Sequence, residues 1–289
     1  MNHTLVLTAA LGNLSDESVI AAAKVVSGAP HWLSPGTACE FRVTDPAILT
    51  AVRTALTGRK VDANVVPDAH RKKRLLIADM DSTIIGCECI DEIAHYAGVK
   101  PQIAAITERA MRGEIPFEAA LRERVVLLKG LPEATLARVY AERVHLNDGA
   151  RILVQTMNAA GAKTALISGG FSFFASRVAD AAGFQSNKAN ELGVENGKLA
   201  GTVREPILGR EAKLQSLVAL AHESGIDMKE TLAIGDGAND LGMITAAGLG
   251  VAYRAKPIVA EAAHARLDHS DLSAALYLQG YRDTELALD

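Results

Sequence analysis

The chain has 289 residues, 49% of them hydrophobic and 22% charged, with a net charge of -4. That length and apolar content allow a sizeable core and more than one domain, and the small negative charge argues against nucleic acid as a partner. No run of about eighteen apolar residues offers a bilayer span, and Met1-Asn2-His3-Thr4 lacks the regions of a signal peptide, so a soluble cytoplasmic protein with no membrane partner is expected.

Residues 1–70 read as βαββαβ. Thr4 to Thr8 alternates like a strand, Asp16 to Val26 is helical, His31 to Leu33 and Cys39 to Val43 are strands around a Ser-Pro-Gly turn, Pro46 to Leu56 is helical, and Val61 to Val66 closes as a strand. This order predicts an α+β ferredoxin-like module. The basic run Arg71-Lys72-Lys73-Arg74 reads as a solvated linker at the domain boundary.

The apolar run Leu75-Leu76-Ile77-Ala78 then leads into Asp79-Met80-Asp81-Ser82-Thr83. Alternation along a strand puts Asp79 and Asp81 on one side of the chain at the strand's carboxyl end, where open α/β sheets place ligands. Two adjacent carboxylates repel unless a cation or a shared proton relieves them, which makes Mg2+ the natural candidate. The same spacing also arises in turns and solvated loops. From Glu88 to about Leu146 four amphipathic helices follow, Ile90 to Tyr96, Gln102 to Arg112, Phe117 to Leu128 and Glu133 to Arg143, punctuated by Pro101, Pro116 and Pro132. A helical insertion after the first strand reads as a cap over the site. The pair Cys87-x-Cys89 lacks the usual spacing of zinc ligands, and with Cys39 it makes no disulfide framework, so reduced thiols are expected.

Further on, Thr164 to Ile167 reads as a strand, Ser168-Gly169-Gly170 as a small-residue turn, and Phe171, Phe174 and Val178 as a helix face. Such a turn suits a phosphate, or simply caps the helix. Asn190 to Val203, with Glu195-Asn196-Gly197, reads as a hairpin. Lys213 opens a helical stretch and is either a clamp for a transferring phosphoryl group or a solvated lysine. The strand Thr231 to Ile234 precedes Gly235-Asp236-Gly237-Ala238-Asn239-Asp240, where capping of the next helix accounts for one acid but not for all the polar groups.

In this order the motifs Asp-x-Asp-x-Thr, Ser-Gly-Gly, Lys213 and Gly-Asp-Gly-x-Asn-Asp resemble the signature of the haloacid dehalogenase superfamily of phosphohydrolases. Residues 79–94, with Phe117-Glu118 and Leu121 to Val125, resemble more narrowly its phosphoserine phosphatase family. The resemblance implies an α/β doubly wound catalytic domain over residues 71–289, with a helical cap at about 86–146. It implies hydrolysis of O-phosphoserine, a small-molecule substrate, to serine and phosphate as the last step of serine biosynthesis. Asp79 would be the nucleophile and Asp81 the general acid and base, with Lys213 completing the catalytic set. Mg2+ would sit on Asp79, the Asp81 carbonyl and Asp236, while Asp240 orients its waters or Lys213. Ser168, Gly169, Lys213 and Asn239 would hold the substrate, with Glu88 on its ammonium, Arg124 on its carboxylate, and Met111 and Phe117 as an apolar lid. Residues 1–70 are similar to ACT-type regulatory domains but lack the Asp-x-x-Gly-x-Leu pattern after the first strand, so homodimerisation is expected of them rather than ligand sensing. Hydrolysis or transfer on another small phosphomonoester, and an amino-acid-responsive regulatory protein, are the alternative functions.

Overall fold

The structure is a computed structural model describing residues 2–112 and 114–287. It begins with β1 (His3–Thr8), α1 (Asp16–Val26), β2 (His31–Ser34), β3 (Ala38–Val43), α2 (Ile48–Ala55) and β4 (Asp62–Pro67). The strands form an antiparallel sheet in the order β2-β3-β1-β4, matching the expected βαββαβ order. Ser15 caps α1 by accepting from Ser18 N–H, with Asp16 and Glu17 in the positive first turn. Both faces of this sheet are covered. Leu5 and Leu7 pack under the two helices, whereas Val6, between them, joins the apolar cluster of the rest of the molecule.

A parallel sheet of order β12-β11-β10-β5-β6-β7 follows, built from β5 (Leu75–Ala78), with helices α3 (Cys89–Ala97), α4 (Lys100–Met111), α5 (Phe117–Val126) and α6 (Ala134–Arg143) inserted after it. Helix α7 (Ala150–Ala159), β6 (Lys163–Phe171), α8 (Ser172–Ala182) and β7 (Ser186–Asn190) come next, then the hairpin β8 (Leu192–Glu195) and β9 (Lys198–Val203). The chain ends through α9 (Arg210–Glu223), β10 (Thr231–Gly235), α10 (Leu241–Ala246), β11 (Leu249–Tyr253), α11 (Pro257–Ala262), β12 (Ala265–Leu267) and α12 (Ala274–Leu278). The period of two assigns the faces: Leu75, Ile77, Ala165, Ile167 and Ala233 pack against α9, α10 and α11, and Leu76, Ala78, Leu166, Leu232 and Ile234 against α7 and α8. Because the chain runs outward from β5 through β6 to β7 and then returns to β10 on the other side of β5, a crevice opens at the carboxyl ends of β5 and β10. Among the described residues no helix is long and apolar enough to cross a membrane.

Three local readings are corrected. Ser168-Gly169-Gly170 is not a turn, because β6 runs on to Phe171 and pairs there with Asn190 after a break in register, so the helix begins at Ser172. Asn190 therefore belongs to β7, and the hairpin starts at Leu192. The run Arg71 to Arg74 is only partly solvated: Lys72 and Arg74 are exposed, but Arg71 is half-buried and Lys73 buried. Arg71 donates to the carbonyls of Leu278 and Tyr277 and pairs with Glu40, and the buried Lys73 donates to Lys229 O at 2.7 Å. Lys72 and Arg74 pair with Glu285 and Glu230. Its charges reach carbonyls and acids that are distant in sequence, which composition alone does not reveal.

The first sheet meets the second edge to edge through side chains. Asn64 bonds both the carbonyl and the N–H of Arg266 at 2.9 Å. The Asp62 carboxylate, 3% exposed, accepts the N–H groups of Asp268, His269 and Ser270. An apolar substitution would strand these donors in a desolvated seam, so Asp62→Ala is expected to lower stability by about 2–4 kcal/mol. A urea denaturation midpoint unchanged from wild type would contradict this.

Candidate active site

The crevice is lined by turns that leave β5 and β10. After Ala78 the backbone enters an irregular turn in which Ser82 is left-handed, with φ of 57°, so Asp79 and Asp81 stay at the strand end while the chain reverses. Asp79 is anchored by its N–H to Ile234 O at 3.0 Å, and its Oδ1 accepts Met80 N–H at 2.7 Å. Lys213, in the first turn of α9 and 1% exposed, places Nζ 2.6 Å from both Asp79 Oδ1 and Asp240 Oδ1. Asp240 Oδ2 accepts the N–H groups of Asp236 and Gly237 at 3.2 and 3.0 Å. The Asp240 side chain lies directly against Gly235, where any Cβ would collide with it, so the glycine is a steric requirement.

Oxygen atoms of Asp79, Asp236 and Asp240 lie within 4.8 Å of one another. Asp236 also accepts Thr83 Oγ1–H at 3.2 Å. Three carboxylates against one ammonium leave a surplus of negative charge in a nearly dry pocket. Burial, then Asp240, drive the Asp79 carboxyl well above the usual range despite Lys213. Burial, then Asp240 and Glu88, push Asp236 up to about 6. Burial lowers the affinity of Lys213 for its proton, but the two carboxylates outweigh it and hold the group as an ammonium. Hard oxygen donors carrying uncompensated charge fit a divalent cation.

Asp81 lies against β6. Its Oδ1 accepts Cys89 N–H at 3.3 Å, and a Cβ at Gly170 would come within 2.6 Å of its Oδ2 and 3.1 Å of Ser168 Oγ. Asp81, Ser168 and Gly170 therefore form one cluster. Burial and then Glu88 raise the Asp81 carboxyl to about 7, against the lowering effect of Cys89. Ser168 Oγ accepts Gly170 N–H at 2.9 Å, and Phe117 reaches over Gly169 from α5. Asn239 folds back against Gly237 at the rim, next to Asp236. Glu88 accepts Ser82 Oγ–H at 2.6 Å. Arg124, half-buried, donates to Ala120 O and Thr107 Oγ1, and burial lowers its affinity for the proton while Asp91 and Glu88 oppose this. Met111, at the end of α4, is 66% exposed and is not packed into the crevice.

Sequence reading missed two contributors. Thr83 holds Asp236, and Asn190 bonds Gly169 O and Leu208 O while accepting Leu208 N–H, which fixes the backbone under Gly169. Thr83 was visible in the Asp-x-Asp-x-Thr pattern, whereas an asparagine ending an edge strand carries no local signal.

A sequence model of the haloacid dehalogenase-like hydrolase family matches residues 76–245, which include every acid and the lysine of this cluster. The chain belongs to that family. It is 46% identical over 200 residues to a phosphoserine phosphatase of Streptococcus thermophilus, covering 69% of this chain and 93% of that protein. It is 44% identical over 203 residues to a phosphoserine phosphatase of Archaeoglobus fulgidus, covering 70% of this chain but only 59% of that longer relative. A solved structure described as a probable phosphoserine phosphatase from Vibrio cholerae, unliganded, superposes with a TM-score of 0.81 at 33% identity, covering 96% of this chain and 86% of that one.

The raised carboxyls set a pH dependence. A carboxyl whose folded pKa lies above its unfolded value favours the fold when protonated, a contribution complete below about pH 4 and lost as pH rises through the folded value. With metal removed by chelation, Asp236→Asn should match wild type in stability near pH 4 and exceed it by about 1–2 kcal/mol above pH 7, after allowance for solvent screening. Added Mg2+ should reverse that order at pH 7.5. Equal denaturation midpoints at both pH values would show that Asp236 carries no such penalty.

Proposed function

We propose that the protein is a magnesium-dependent phosphoserine phosphatase that works through an aspartyl-phosphate on Asp79. The observation that carries this reading is a single carboxylate at the end of β5 held beside a buried lysine, with a second carboxylate of raised pKa against Gly170 and Ser168. The similarity to proteins named phosphoserine phosphatase supports the substrate.

In this reading Asp79 attacks phosphorus and the serine oxygen leaves, taking a proton from Asp81. A carboxyl pushed up to about 7 is protonated often enough near neutrality to give that proton. Asp81, now ionised, removes a proton from water as the water attacks the phosphoenzyme, which releases phosphate and restores both residues. Lys213 offsets charge on the phosphoryl oxygens and favours the ionised form of Asp79 against burial and Asp240, and Ser168 and the Gly169 N–H receive the phosphoryl group. Asp79, the Asp81 carbonyl and Asp236 would hold Mg2+, which supplies charge neutralisation at the transferring group, while Asp240 keeps Lys213 and the Asp236 backbone in place. Arg124 and Glu88 would take the substrate's carboxylate and ammonium, with Asn239 at the rim and Phe117 and Met111 closing above.

A division of labour follows, in which residues 71–289 carry the chemistry, the insertion at about 86–146 acts as cap, and residues 1–70 pair subunits. Exposed Leu11 and Ile20 on the outer side of that module leave apolar surface for a second copy. A cytoplasmic enzyme closing serine biosynthesis is consistent with the three free cysteines.

Asp79→Asn should abolish phosphate release from phosphoserine, at least a thousandfold, with the fold retained by circular dichroism. Arg124→Ala should lower kcat/KM for phosphoserine by about a hundredfold or more, but for a phosphomonoester lacking a carboxylate by less than about tenfold. Equal losses on both substrates would refute the carboxylate assignment, and turnover undiminished by chelation would refute the metal.

A further inference from the structure

The turn that carries Thr83 is held from outside the four motifs. The chain leaves the core for the helical insertion through residues 83–86 and returns through residues 145–147, and the two linkers run antiparallel. Ile85 and Leu146 are bridged, Gly86 N–H donates to His145 O at 3.3 Å, and Asn147 N–H donates to Ile84 O at 2.8 Å. Beyond this backbone pairing, Asn147 Nδ2 donates to Thr83 O at 2.7 Å. Its Oδ1 lies against Gly86, 3.2 Å from where a Cβ would stand, so the amide is wedged between the linkers.

Thr83 is fully buried, and its hydroxyl meets Asp236 Oδ1 at 3.2 Å. A threonine is stiff about χ1, so the direction of its Oγ1 follows the orientation of its own backbone. The hydrogen bond from Asn147 fixes that orientation at the carbonyl, and the hydroxyl transmits it to the carboxylate.

We propose that Asn147 is a positioning residue for the cation: by fixing the Thr83 peptide it aims the hydroxyl that sets Asp236, and so raises affinity for a divalent ion. The proposal rests on the reading that Asp236 holds Mg2+. Because Asn147 lies on the returning linker, the same bond ties the hinge of the helical insertion to the cation's carboxylate. Partners that orient a ligating carboxylate govern metal affinity without touching the metal.

The test is titration with Mg2+ in the absence of substrate, by calorimetry and by thermal shift. Asn147→Ala, and Asn147→Leu as a variant that keeps the bulk, should each raise the Kd for Mg2+ by about three- to tenfold. Thr83→Val should weaken binding at least as much, and adding Asn147→Ala to Thr83→Val should change Kd by less than about twofold, since one chain of contacts is already cut. A Kd within about twofold of wild type in both single variants, with melting temperature lowered equally with and without Mg2+, would make Asn147 a structural brace and overturn the proposal. Multiplying effects in the double variant would overturn the route through Thr83. Wild-type protein that binds no Mg2+ would overturn the cation reading on which the proposal stands.

Discussion

The active crevice depends on one buried ammonium. Lys213 sits between Asp79 and Asp240 at 2.6 Å from each, with almost no solvent contact. An ammonium in such a place is tolerated because both neighbours are acids, and removing it would leave two buried carboxylates without a counterion. Asp240 uses its other oxygen, Oδ2, to hold the backbone of Asp236 and Gly237, and Asp79 Oδ1 also accepts Met80 N–H. The ion pair thus links α9, the end of β5 and the loop after β10, and sets the spacing on which the rest of the chemistry relies.

The second constraint is steric. Gly170 lets the Asp81 carboxylate approach β6, Gly235 makes room for Asp240, and Gly169 lies beneath Phe117 of the insertion. Each glycine is a place where a side chain from another element takes the volume its own Cβ would fill. This is why Ser168 to Gly170 can remain a strand while Asp81 and Phe117 pack directly onto it.

The insertion is tied to the core at more than its linkers. Gly130 and Leu131 exchange backbone hydrogen bonds with Leu199 of β9, Glu133 N–H donates to Gly197 O, and Arg122 bonds Glu205 through two nitrogens. The small hairpin therefore braces the α5–α6 side of the insertion, while α4 ends at the exposed Met111. At the other end of the molecule, Asp62, Asn64 and Arg71 seal the antiparallel sheet to the parallel one, so a single apolar cluster extends from Val6 through the core to Leu121 of the insertion.

Much of this was written locally. The apolar run Leu75 to Ala78, the helix spacing between Glu88 and Leu146, and the Glu195-Asn196-Gly197 turn act over a few residues, and strand and helix geometry convert them directly into elements. The acids and the lysine were each ordinary alone and became legible through the order of the four motifs along the chain. What only the tertiary structure decided concerns groups whose partners are far along the chain: Arg71 and Lys73 held on carbonyls, β6 continuing through Gly170, Asn190 fixing Gly169, and Asn147 reaching Thr83. A hydrogen bond spanning sixty or two hundred residues leaves no periodicity to read. The sequence by itself determined which groups could do the chemistry, and packing determined which of them meet, because burial and hydrogen-bond pairing are properties of the assembled chain.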